Sequence, residues 1–430
     1  MSQTLTVKKQ NVRFAFILVV SLFFLWALTS NLLGTLIPHL KKTCQLDILQ
    51  SSFIDFAYWI GYFVTAIPAA MIMRKYSYKT GIICGLIIAG IGAAGFYPAA
   101  EVRQFGLFLA ALFIMACGMA FLETAANPFI TILGPAESSS QRLNFAQAFN
   151  GLGAFISTFF ISDMILSGID YTPEQLNKMS PAELESYLHS EASRLQIPYL
   201  VIASILLVVA ILFYVVKMPP VPEEKDSSFH IDTSVFKHKH FRLGVIAQFF
   251  YVGAQVCISS FFIPFAKYST HLSEQTIKDN HYLGYLLLCF AAGRYVGTFL
   301  MMKMKIKPER LLTFFAICNI LLLAYCIFFG GHIGLFSMMG VEFFMSIMFP
   351  TIFALGIKNL GTQTKIGSSF MVMSIVGGAL IPLVFGYISR QLNVQVGYVV
   401  PLICFVYVGY YGWRGYVIQE KSTSEMQVAV

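Results

Sequence analysis

Residues 121–135 read FLETAANPFITILGP and close an apolar run that begins near residue 106. Up to Leu122 that run holds only apolar or small side chains; Glu123, Asn127 and Pro128 then follow within six positions. A helix that crosses a bilayer core of about 30 Å needs about 20 such residues. Read as a membrane helix running inward, the stretch holds Glu123 about 16 Å above its inner end, at about 1.5 Å per residue, close to mid-membrane. An ionised carboxylate at that depth costs at least about 2.5 to 3.5 kcal/mol. It must therefore face a water-filled cavity, pair with a base, or hold a proton, and the first and last of these fit a proton site. Pro128 removes one backbone hydrogen bond, so a bend is expected just below the acid, with Asn127 helping to satisfy the freed carbonyl.

The whole chain has this character. Of its 430 residues 57% are hydrophobic and 12% charged, against about 45 to 50% and about 25% in soluble domains. Twelve apolar runs are expected to span the bilayer, near 14–38, 50–73, 79–99, 106–133, 143–167, 196–217, 242–266, 281–302, 310–329, 333–356, 366–388 and 396–417. The fold class expected is an all-α membrane protein, with twelve transmembrane helices in two pseudo-symmetric six-helix bundles. Between the sixth and seventh runs PPVPEEKDSSFHIDTSVFKHKHFR reads as a solvated segment. The expected division is thus 1–218 for the first bundle, 219–241 for a cytoplasmic linker, and 242–430 for the second bundle with a short tail. Helices two and eight each place a glycine near mid-span, Gly61 and Gly293, about a dozen residues before a basic turn. With the six-plus-six pattern, this suggests related halves that rock around a midplane substrate site.

Most of the 29 basic residues fall in alternate loops, including Lys8, Lys9, Arg13, Arg74, Lys75, Lys79, Lys303, Lys305, Lys307 and Arg310. That bias makes both termini cytoplasmic. The net charge of +8 then complements an anionic inner leaflet and implies no nucleic-acid partner. The basic-then-apolar N-terminus lacks an A-x-A cleavage pattern and reads as an uncleaved first span. Seven of the eight cysteines (Cys84, Cys117, Cys257, Cys289, Cys318, Cys326 and Cys404) fall singly within spans. Neither a metal site nor a disulfide framework is expected, and no cofactor.

RLNFAQAFNGLGAF, in helix five, sets Asn144, Gln147 and Asn150 three residues apart on one face. Asn150 falls close to the depth of Glu123. Amides donate to and accept from hydroxyls, which suits a neutral polyol; for Asn144, nearer the membrane edge, gluing two helices together is the simpler role. Further polar residues at depth are Asn31, Asp55, Gln248, Gln255, Arg294 and Glu342, accompanied by Tyr58, Trp59, Tyr62, Tyr251 and Tyr295. Aromatic faces with amides make carbohydrate sites, although most aromatics in such a chain face lipid. Arg294 must find a carbonyl, a carboxylate or cavity water, in a structural or gating role.

FLETAANPFITILGP, RLNFAQAFNGLGAF, LNKMSPAELESYLHS, AQFFYVGAQ, PTIFALGIKNLG and TKIGSSFMVMSIVGG resemble the corresponding segments of the proton-coupled L-fucose permeases of the major facilitator superfamily. The resemblance runs from SLFFLWAL to the last span. It implies secondary active import of L-fucose or a similar hexose with protons by alternating access, in the inner membrane, with a monomer expected. It also implies that Glu123 couples the proton and that Asn150 lines the cavity; Gln147, Asn127, Asn31, Gln255 and Tyr251 join Asn150 as candidate sugar ligands. One departure stands out. The permeases carry an aspartate in helix one, and Gly34 stands in its place within SNLLGTLIP. Asp55 in helix two is a candidate replacement, with coupling through Glu123 alone or to sodium as the alternatives. Glu342 is a further acid outside the pattern. The missing acid keeps a glucose, galactose or N-acetylglucosamine carrier in view, and a non-transporting sugar sensor is a lesser alternative. No spacing such as H-E-x-x-H or G-x-S-x-G suggests an enzyme.

Overall fold

In a computed structural model the chain is described at residues 2–46, 48–165, 171, 173–176, 178–218, 233–273, 276–277 and 282–418; of these, the side chains at 2–13, 48–49, 51–52, 55, 159, 162–163 and 173–174 fall outside the description. Most of the expected linker, 219–232, and the Asp55 side chain therefore lie outside the described residues.

The chain forms two compact units, Met1–Phe229 and His230–Val430. The first contains α1 (Phe14–Thr43), α2 (Ile48–Lys75), α3 (Tyr78–Val102), α4 (Phe105–Ile132), α5 (Ser139–Ile156) and α6 (Gln196–Val215). The second contains α7 (Lys239–Ser260), α8 (Tyr282–Met302), α9 (Pro308–Phe328), α10 (Gly331–Gly356), α11 (Gly361–Gln391) and α12 (Val394–Gly415). Among the described residues eleven helical stretches are long and apolar enough to cross a membrane. The remaining expected span, α5, runs on through a wider π turn, Ser157–Ile161, to Ile165. Arg142, Asn144, Gln147 and Asn150 dilute its apolar character, and π turns of this sort are frequent where a helix serves a function.

Each unit repeats one packing scheme. In the first, α1 lies along α5, α2 along α4, and α3 along both α4 and α6; in the second, α7 lies along α11, α8 along α10, and α9 along both α10 and α12. The second unit adds a broad α7–α12 contact that α1 and α6 barely make. Lipid gives helices no hydrophobic reason to associate, so close backbone packing over small residues has to do so. The repeat extends to those residues. A Cβ on Gly153 of α5 would lie 2.3 Å from the Phe24 carbonyl of α1, and one on Gly377 of α11 would lie 2.1 Å from the Phe249 carbonyl of α7. Gly61 of α2 faces the Phe113 carbonyl of α4, as Gly293 of α8 faces the Phe343 carbonyl of α10. The mid-span glycines are therefore equivalent contact points.

Among the described residues three spans are interrupted by a turn, α12 at Tyr398 between Val394–Gly397 and Val399–Tyr410. Helix α1 turns at residues 31–32 before resuming as Leu33–Thr43, and α10 breaks at 346–347 between Gly331–Met345 and Met348–Gly356. Ahead of α6, a surface helix Pro181–Ser193 opens with a capping box between Ser180 and Glu183. It is fastened to the end of α1 by Lys42 and Glu191, 3.0 Å apart, and by a His39 Nε2 contact of 3.0 Å with the Glu191 carbonyl oxygen.

Candidate functional site

The register of α4 against α5 builds the site. The last carbonyls of α4 have no intrahelical donors. Arg142 of α5 supplies them: its Nε donates to the Ile130 carbonyl at 3.1 Å, and its guanidinium also donates to the carbonyls of Thr131 and Pro135. Five residues further along α5, Gln147 Nε2 donates to Asn127 Oδ1 of α4 at 3.4 Å. Asn127 is fully buried and Gln147 nearly so.

These amides and Glu123 share one hollow, lined by Leu22, Phe23 and Trp26 of α1, Leu122, Glu123, Ala126 and Asn127 of α4, and Gln147 of α5. Glu123 is 7% exposed, and its Oε2 has no hydrogen-bond partner among the described residues. The Asn127 Nδ2 has none either. The hollow thus holds an unsatisfied acceptor and an unsatisfied donor beside an indole, the inventory a polyol can complete. Helix α2 closes a polar chain behind the indole. Trp26 Nε1 donates to Tyr62 Oη at 2.7 Å, and Tyr58 Oη donates to the same oxygen at 3.4 Å. Both tyrosines are electrostatic neighbours of Glu123.

Of the expected ligands, Glu123, Asn127 and Gln147 line this hollow; Asn150, buried on the same face of α5, is not among its lining residues. Asn144 Nδ2 donates within its own helix to the Ser140 carbonyl, 2.9 Å away. Asn31, at the turn of α1, is exposed and spends its Nδ2 on the Ala27 carbonyl at 2.7 Å. One expectation is corrected: Asn127 does not cap the carbonyl freed by Pro128, because its side chain is turned to Gln147 and its Nδ2 stays unpartnered. Helix α4 is continuous through Pro128. Sequence reasoning passed over Trp26, although Leu22, Phe23 and Trp26 fall on one helical face, a spacing that could have marked it.

The second unit disposes of its polar residues differently. Tyr251 Oη donates to the Met345 carbonyl at 3.1 Å, and Arg294 Nε to the Ser346 carbonyl at 3.0 Å. Both therefore serve the break in α10, where orphaned carbonyls in lipid would otherwise be costly. Arg294 also stacks over Phe290, 4.6 Å from the ring centroid. Gln255 is half-buried on α7, whereas Gln248, two turns earlier on the face it shares with Tyr251, is fully buried with neither amide atom hydrogen-bonded among the described residues.

The sequence pattern of the Major Facilitator Superfamily matches residues 18–382. The chain is 41% identical over 401 residues to the L-fucose-proton symporter of Escherichia coli (strain K12), covering 91% of each chain. It is 37% identical over 413 residues to a glucose/galactose transporter of Brucella abortus, covering 96% of each. A crystal structure of the E. coli fucose:proton symporter, FucP, superposes with a TM-score of 0.87 at 39% identity, covering 94% of this chain and 98% of that one.

Proposed function

Because the chain belongs to the Major Facilitator Superfamily, we propose that it carries a hexose, L-fucose in the first place, across the membrane together with protons. The observation that carries this reading is the pairing within one hollow of Glu123, whose Oε2 is unpartnered, with the linked amides of Asn127 and Gln147. The chemistry needs both halves. Sugar hydroxyls bond to the amides while the indole of Trp26 offers an apolar ring face. Glu123 enters the closed state neutral, since a lone carboxylate in a dry site is costly. It releases its proton when the hollow is wetted from the cytoplasmic side, so proton and sugar leave together and the empty carrier returns. Asn150 extends the sugar site along α5, and Asp55 supplies the carboxylate that Gly34 does not. The protein works as a monomer in the inner membrane with both termini cytoplasmic, its two bundles joined by the linker 219–241.

The test is transport by the full chain in proteoliposomes, with a competition panel of L-fucose, L-galactose, D-arabinose, D-glucose, D-galactose and N-acetylglucosamine at two pH values, with and without sodium. Hexose-driven alkalinisation of the outer medium is expected, with L-fucose the strongest competitor and sodium without effect. Sodium-dependent uptake with no proton movement would overturn the reading. A glucose/galactose carrier is the second reading, favoured by Gly34 at the place of the helix-one acid and by 37% identity to a glucose/galactose transporter. D-Glucose and D-galactose outcompeting L-fucose would select it.

A further inference from the structure

The two units carry matching signatures in equivalent helices. The end of α4, Asn127 to Gly134, reads NPFITILG, and the end of α10, Phe349 to Gly356, reads FPTIFALG. In register, Pro128 meets Pro350, Ile130 meets Ile352, Leu133 meets Leu355, and Gly134 meets Gly356. Both helices bear an acid N-terminal to that proline: Glu123 stands five positions before Pro128, and Glu342 eight before Pro350, which differ by three residues, close to one helical turn. The packing scheme makes α4 and α10 counterparts independently of sequence, since each is clasped by the second and third helices of its unit.

Glu342 is as buried as Glu123, at 3% exposed. Among the described residues its one hydrogen bond is from Ser259 Oγ of α7, which donates at 3.0 Å, and no Lys, Arg or His pairs with it. The titratable groups that face it are Tyr251 of α7, Cys289 of α8 and Tyr398 at the start of α12. The Tyr398 hydroxyl has no partner among the described residues. Cys326 of α9 donates to the Gly334 carbonyl of α10, and Arg294 of α8 donates to Ser346. Arg294 apart, which is bonded to the Ser346 carbonyl, these neighbours are polar and uncharged, able to hold a neutral carboxyl.

We propose that Glu342 is a second proton-binding carboxyl of the transport cycle, housed in the second unit as the counterpart of Glu123. The step is a simple protonation: one carboxylate oxygen of Glu342 takes a proton from water on the outer side and returns it to water on the inner side, with no other bond changed. The inference rests on the symport reading above and adds to it a proton site in the second unit.

The experiment measures protons moved per sugar by the full chain in proteoliposomes, with an entrapped pH dye and labelled L-fucose or D-galactose, whichever the competition panel selects. Glu342→Gln is expected to keep sugar counterflow while the proton-to-sugar ratio falls, because one of the membrane acids that carry protons is neutralised. Glu342→Asp, which keeps the carboxyl, is expected to keep the wild-type ratio. Intact counterflow with an unchanged ratio in Glu342→Gln would overturn the proposal. Should Glu342→Gln fail to fold, Ser259→Ala decides: loss of a donor that steadies the charged carboxylate is expected to shift the pH profile of uptake to the alkaline side, and an unmoved profile counts against the proposal. A wild-type chain that moves sugar without protons defeats the symport reading itself. Wild-type coupling with an unaltered ratio in the variant defeats only the role of Glu342.

Discussion

Gln147 donates its Nε2 to Asn127 Oδ1, and this 3.4 Å bond ties α5 to α4 one turn below Glu123. The bond is long by ordinary standards, so a sugar hydroxyl can take its place at small cost. Asn127→Leu and Gln147→Leu are each expected to raise the half-saturating sugar concentration about tenfold or more, since a neutral hydrogen bond to a ligand is worth on the order of 1 kcal/mol and an orphaned buried partner adds about as much again. Equilibrium binding by calorimetry on the purified variants checks this. Affinities within a factor of two of wild type would remove both amides from the sugar site.

Glu123→Gln is expected to separate exchange from accumulation. The amide keeps the shape and neutrality of the protonated acid, so counterflow persists, while uptake against a gradient is lost because the acid that releases its proton beside the sugar is gone. Uptake by the wild-type chain should rise as the external pH falls. The comparison of counterflow with pH-gradient-driven uptake checks both; concentrative uptake by Glu123→Gln would rule out this acid as the coupling group.

Gly34 and Gly293 should respond oppositely to added atoms. A Cβ on Gly34 meets nothing within 4 Å, whereas one on Gly293 would lie 2.0 Å from the Phe343 carbonyl. Gly34→Asp is therefore expected to fold and to alter the pH profile of uptake. Gly293→Ala should lose at least 1 to 3 kcal/mol or so, the usual cost of overpacking, and elute as aggregate. Thermal unfolding in detergent followed by size-exclusion chromatography tests the pair.

Arg294→Met keeps apolar bulk over Phe290 but deprives the Ser346 carbonyl of its donor. An unsatisfied buried group costs about 1 to 3 kcal/mol, so the melting temperature should fall by several degrees while sugar affinity in the folded fraction stays near wild type. A large loss of affinity with unchanged melting would make Arg294 a substrate contact rather than a brace.

The two ion pairs of the surface helix Pro181–Ser193 differ in weight. Glu191 is 4% exposed beside a Lys42 that is 24% exposed, whereas Glu185, paired with Arg103, is 62% exposed. Breaking an exposed pair costs about 0 to 1 kcal/mol, and a more buried pair costs more, up to about 3 to 5 kcal/mol where the charge left behind is itself buried. Glu185→Ala should leave proteolysis of this helix unchanged, and Glu191→Ala should accelerate it. Equal cleavage rates would contradict this ranking.

Much of this was legible in the sequence. Eleven of the twelve expected runs return as apolar helices because length and hydrophobicity suffice to define a span. Helix α5 stood out beforehand by its polar spacing, and the same amides lower its apolar character. Gly61 and Gly293, matched from sequence alone, proved to face equivalent carbonyls. The break of α10 has its signal in Pro350, which offers no donor to the Ser346 carbonyl four residues earlier, but its braces do not, since Tyr251 and Arg294 come from distant helices. The bond of Trp26 to Tyr62 joins residues 36 apart and escapes any local reading for the same reason.

Where Gly153 meets Phe24 and Gly377 meets Phe249, main chain rests on main chain with no side chain between. Such crossings leave no room to slip by a fraction of a turn, as any axial shift would drive a neighbouring Cβ into a carbonyl oxygen. Helices α1 with α5, and α7 with α11, must therefore travel as coupled rods. Movement during the cycle is left to junctions that side chains bridge, and a mutation that thickens either glycine seam should, as at Gly293, prise the rods apart and cost stability.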